Sequence, residues 1–133
     1  EDDYHDFIGE ASLGYGFGES SKLSLDYKRQ VYVSSIAAYQ NVLHSRLTLS
    51  LFYKISQKVG GTVYATMMND DYRGGTAVVD REDDFLGAGV GLKYAMREWL
   101  VWDIAYDYLD RDSNLAQSDY VSQVVLLSVE VAF

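Results

Sequence analysis

The chain lacks cysteine entirely, and with it any disulfide framework or thiolate metal site. Proline is absent too, and no apolar run approaches the ~18 residues of a membrane-crossing helix. If the chain spans a membrane, it must do so as strands. No signal peptide is recognisable at its start. Histidine is scarce: His5 and His44 stand far apart, with no second His near either, which gives a transition-metal site little support. Cations are few as well. Eleven Lys and Arg against 20 Asp and Glu leave a net charge of -9, which argues against a nucleic-acid partner.

What is there favours strands. A length of 133 residues allows one domain with a modest core, and 12 Tyr and 11 Gly stand beside abundant Val, Leu and Ser. Seven segments alternate apolar and polar residues: 4–18, 22–35, 43–56, 59–72, 84–96, 100–110 and 120–133. Each is longer than the ~5–6 residues of an ordinary strand and long enough for the ~9–11 of a tilted membrane strand. In the second, Leu23, Leu25, Tyr27, Val31 and Val33 oppose Lys22, Ser24, Asp26, Lys28, Gln30 and Ser34, with Arg29 breaking the apolar side. The fifth sets Leu86, Ala88, Val90, Leu92 and Tyr94 against Gly87, Gly89, Gly91 and Lys93. Such faces suit a soluble barrel turned inward or a membrane barrel turned outward, and alternation alone does not separate them.

Two further patterns favour the membrane. Tyr15, Phe17, Tyr53, Tyr94, Trp99 and Phe133 gather at one end of the strands, and Tyr32, Tyr72, Phe85, Tyr106, Tyr108 and Tyr120 toward the other, as two interfacial belts would. Connections 19–21, 57–58 and 97–99 are tight, while 35–42, 73–83 and 111–119 are longer and rich in Asp, Ser, Gly and Asn. Short periplasmic turns and long outer loops are the plan of outer-membrane barrels. The expectation is an all-β chain: about seven long strands in an antiparallel meander, forming a portion of a transmembrane β-barrel.

Seven is an odd number, whereas single-chain bacterial barrels have an even one. The expectation is therefore that residues 1–133 are the carboxyl-terminal part of a longer barrel, or one subunit of an oligomer, unless 36–42 supplies an eighth strand. A weak repeat at an offset of 81 aligns Leu13 with Tyr94, Leu23 with Ile104 and Leu25 with Tyr106, consistent with growth by hairpins. In the last segment Leu127, Val129, Val131 and Phe133 alternate up to the final residue. That pattern resembles the sorting signal read by the outer-membrane barrel-assembly machinery.

The stretch Arg81-Glu82-Asp83-Asp84 with the Gly-rich strand after it resembles a known group, as do Arg97-Glu98-Trp99-Leu100 and Asp110-Arg111-Asp112-Ser113-Asn114. So do Ser118-Asp119-Tyr120 and the strand running on to Phe133. The group is the outer-membrane β-barrel porins linked to exopolysaccharide and capsule export. The resemblance covers most of the chain and implies a location in the bacterial outer membrane and a passive conduit for polysaccharide. The partners it implies are lipid and lipopolysaccharide, the assembly machinery, polysaccharide-export components, and the remaining strands or another copy. A small structural or adhesive barrel with a plugged interior is the alternative, and a soluble ligand-binding barrel a third reading.

The lumen-facing candidates are Glu10, Lys22, Asp26, Lys28, Arg46, Lys54, Lys93, Asp103, Asp107 and Glu130. Mixed charge with Ser, Thr and Gln between suits hydrated solutes such as sugars, and equally suits ion pairs that hold strand register. No enzymatic role is expected. Asp103 and Asp107 stand roughly 13 Å apart by strand rise, beyond a glycosidase pair. Ser45 beside His44 points to the opposite face, and no nucleophile constellation emerges. No cofactor is implied. The acidic loops offer weak Ca²⁺ candidates in Asp83 and Asp84, with plain loop solubility as the alternative.

Overall fold

Alternation becomes pairing wherever it runs long enough. The computed structural model describes residues 7–76 and 80–133. Its strands are β1 (Gly9–Phe17), β2 (Ser21–Val33), β3 (Asn41–Lys54), β4 (Val59–Arg73), β5 (Arg81–Arg97), β6 (Leu100–Ser113) and β7 (Tyr120–Val131), with one turn of 3-10 helix at Ala116–Ser118. Each strand pairs antiparallel with the next, giving one seven-stranded meander. No helix among the described residues is long and apolar enough to cross a membrane, which says nothing of strands.

The boundaries differ from expectation mainly at the end with the longer loops. β5 begins at Arg81 and β6 runs on to Ser113, so the acidic stretches 82–84 and 110–112 lie within strands rather than loops. Pairing continues there because polar side chains on both strands find partners, as described below. Residues 34–40 form turns and bends, so the eighth strand considered for 36–42 is not formed; Asn41 and Val42 belong to β3. Of the segment expected at 4–18, residues 4–6 lie outside the described residues.

Register carries each face across the whole sheet. The row Leu13, Leu25, Leu49, Ala65, Ala88, Tyr108 and Gln123 runs from β1 to β7 on one side. That side is apolar over residues 47–55 of β3 and its turn, 59–67 of β4, 86–94 of β5 and 100–108 of β6. Stretches of ~9 residues rise ~30 Å along the strand. Tilted by ~40°, they stand ~23 Å tall, close to the ~25 Å apolar band of outer-membrane barrels. Above the band the same side turns polar, at Asn69, Asp71, Glu82, Asp84, Asp110 and Asp112. The strands thus extend beyond the spanning height.

On the other, polar side, side chains from non-adjacent strands meet. Tyr64 of β4 reaches Asp107 of β6 across β5. The apolar side stays open: Leu49, Val63, Leu86, Val90 and Ile104 are all exposed. The only buried apolar side chains among the described residues are Tyr39, Val42 and Leu43, at the loop end of β3. A soluble barrel of lipocalin type would bury its apolar face inside; this chain turns that face out. β1 pairs only with β2 and β7 only with β6 among the described residues, and both edge strands run in the same direction.

Candidate functional site

Strand parity places all ten charged candidates on the polar side. Glu10, Lys28 and Arg46 stand in one cross-strand row, and Lys93 lies directly opposite Asp103. The Ser12 hydroxyl donates to the Asp26 carboxylate. Lys22 lies over Gly14, where a Cβ would come within 2.9 Å of its Cε. Lys54 and Lys93 flank Gly60 in the next row, and Glu130 stands opposite Val101 near the turn end. The cations fall on β2, β3 and β5, and Asp103, Asp107 and Glu130 on β6 and β7. Five charges of each sign make this wall neutral in sum, so the chain's negative surplus lies elsewhere, notably in the acidic rows above the apolar band.

Between the charges the wall is built of small and hydroxyl side chains. Thr48 and Thr66 share a hydrogen bond of 2.9 Å. Gly87 and Gly89 are buried because neighbours lie over them. A Cβ on Gly89 would sit 2.2 Å from Tyr64 Cε1, and one on Gly87 would sit 2.7 Å from Thr66 Cγ2. The Tyr64 hydroxyl donates to Asp107 Oδ1. These glycines make room for side chains that cross them. Sequence reasoning does not single out Tyr64, Thr48 and Thr66; the available signal is the Gly-X-Gly-X-Gly run, which Tyr64 and Thr66 face and to which Thr48 is joined through Thr66.

Above the band the polar side carries a node around Asp83, which has no exposed surface. Arg81 donates to both of its oxygens at 2.9–3.1 Å, and Arg111 and the Ser113 hydroxyl complete the set. Arg81 lies 5.1 Å over the Tyr72 ring, and Arg111 lies 5.4 Å over both Phe85 and Tyr120. Burial pushes the Asp83 carboxyl up, but the hydrogen bonds from Arg81, Ser113 and Arg111 outweigh it and hold it below the usual carboxylate range. One row below that of Tyr72 and Arg81, the His44 ring nitrogen pairs with Asp70.

Two expectations are corrected here. Asp83 and Asp84 do not assemble a Ca²⁺ site. Adjacent strand residues point to opposite faces, the Asp83 oxygens are occupied by two guanidinium groups and a hydroxyl, and Asp84 accepts from Asn69 Nδ2 at 2.8 Å on the other side. Among the described residues no group of three or more acidic, His or Cys side chains is placed to hold a metal ion. The second correction concerns the belts. At the turn end Tyr15, Phe17, Tyr53 and Tyr94 do share the apolar side. At the loop end Tyr32, Tyr72, Phe85 and Tyr120 face the polar side instead, where three of them stack on the Asp83 arginines. Tyr106 and Tyr108, from the middle of β6, remain on the apolar side, with the Tyr106 hydroxyl donating to Gln123 at 3.2 Å.

Leu127, Val129 and Val131 alternate on the apolar side of β7, and Phe133 follows just past its end, fully exposed. No curated protein and no solved structure matches the chain. One family does, putative beta-barrel porin 2, over residues 2–133.

Proposed function

The chain belongs to the putative beta-barrel porin 2 family, and from that premise we propose that it forms part of a passive conduit in the bacterial outer membrane, carrying exported exopolysaccharide. Family membership supports an outer-membrane barrel, and the polar wall favours a hydrated cargo. The observation that carries it is the division of faces. An apolar band of membrane height lies exposed on one side of the sheet, and a wall of balanced charge with Thr, Ser and Gly lies on the other. A wall of zero net charge rejects neither ion sign strongly, and its hydroxyls replace the water hydrogen bonds of a sugar chain as it slides. The role proposed is transport without catalysis.

The partners proposed follow from the two faces and the two edges. Lipid and lipopolysaccharide cover the apolar band, the assembly machinery inserts it, and export components feed the wall. Strands from elsewhere, or from another copy, cover β1 and β7. Reconstitution of the protein into planar bilayers tests the reading. Stepwise ohmic currents of both ion signs are expected, reduced by added polysaccharide of high mass. A folded, inserted protein that passes no current would replace the conduit with a plugged structural barrel.

A further inference from the structure

The polar side holds an open groove of about 450 Å³, lined by Tyr64, Thr66 and Asp107 together with the apolar Met68, Leu109 and Val124, with Gly87 among them. We infer that this groove is a saccharide subsite in which the Tyr64 ring is the stacking platform. The inference rests on reading this face as the wall of a solute path. Its volume lies within the ~300–1,000 Å³ of small-molecule sites.

The argument begins with how Tyr64 is held. Its ring leaves β4, crosses above Gly89 of β5 and ends in a hydrogen bond to Asp107 of β6. Side chains on neighbouring strands point away from the sheet, so a ring that spans two strand spacings must lie along the wall instead. Gly89 permits this, since any Cβ there would occupy the ring's own position at 2.2 Å from Cε1. Fixed at its hydroxyl and backed by the glycine, the ring offers its remaining side to the groove. A pyranose presents a face of C–H bonds and a rim of hydroxyl groups. The face matches the aromatic platform, and the rim finds acceptors and donors around it in Asp107, Thr48, Thr66 and Ser122, with Arg46 at the far border. Met68, Leu109 and Val124 add apolar surface for the C–H face, and a simple ion would have no use for that surface or for the ring.

Titration calorimetry of the detergent-folded full chain with maltohexaose and cellohexaose tests this. Tyr64→Leu is expected to weaken binding ~3–10-fold, the range expected of one aromatic stacking contact. Tyr64→Phe keeps the platform and should stay within ~2-fold. Gly89→Ala displaces the ring without altering Tyr64 and should reproduce the Leu variant's loss, which also carries the test if Tyr64→Leu does not fold. Tyr106→Leu, on the apolar side, should change nothing. Absence of binding to either oligosaccharide overturns the subsite, as does wild-type affinity in a Tyr64→Leu protein whose melting temperature has fallen, the mark of a wall-packing tyrosine. Binding without bilayer current sinks the conduit and leaves the subsite standing. Current without binding does the reverse.

Discussion

Asp83 is a carboxylate held out of water by two arginines and a serine, and its removal tests how the loop end is built. Asp83→Asn leaves Arg81 and Arg111 facing each other without a counter-charge, at an expected cost of ~3 kcal/mol. Thermal melting in detergent, with hydrogen exchange at residues 81–83 and 111–113, should register the loss at that end first. The pH dependence has a definite sign. The folded carboxyl titrates below its ordinary value, so its stabilisation is fully present above the unfolded value of ~3.9 and is lost as pH falls through the folded one. Melting temperature should hold from neutral pH to ~5 and fall below ~4, and the Asn variant should lack that step. A second residue-scale test separates the faces. Leu49→Arg puts a charge in the apolar band and should cost ~2–4 kcal/mol in urea titrations from lipid vesicles. The same change at Ser50, one residue along on the polar side, should cost far less. Equal costs would mean that the faces are assigned the wrong way round.

At the scale of elements, the β5–β6 hairpin outgrows the membrane band, and the residues that follow β4 are tied to the β2–β3 connection. Gly75, at φ +84°, lies against residue 38, so that a Cβ there would be 2.4 Å from the Ala38 carbonyl oxygen. The Thr76 amide donates to that oxygen at 3.1 Å, and the Gln40 amide to Arg73 at 3.1 Å. Gly75→Ala therefore meets both a left-handed backbone and a clash, for ~1–3 kcal/mol of local strain. Limited proteolysis should cut the connections 34–40 and 74–80 of this variant faster, with the strand signal in circular dichroism unchanged. Unchanged cleavage would mean that the two connections do not depend on each other.

For the molecule as a whole, the unpaired edges decide what it needs. Backbone groups left open in lipid cost several kcal/mol each. β1 and β7 run the same way, so antiparallel closure takes an odd number of strands between them. The expected outcome is that β7 amides pointing away from β6 exchange as slowly in lipid vesicles as those of central β4. Fast exchange along that edge in a stably inserted protein would rule out partner strands there.

Much of this was legible without coordinates. Period two fixed which residues share a side, because side chains alternate across a strand, so the ten charged candidates could be placed from parity alone. The seven segments and their order followed from segment length and turn composition. Tertiary structure decided the rest, since it depends on register and on contacts across strands. Register brought Arg111 beside Phe85 and Ser113 opposite Asp83, turning a suspected cation ligand into the centre of an ion-pair node. Parity also puts four loop-end aromatics on the polar side, but only the folded structure shows three of them, Tyr72, Phe85 and Tyr120, lying against arginines. Alternation is symmetric with respect to inside and outside; the folded sheet breaks that symmetry by leaving Leu49, Val63, Leu86 and Ile104 exposed on one side while Tyr64 reaches Asp107 over Gly89 on the other.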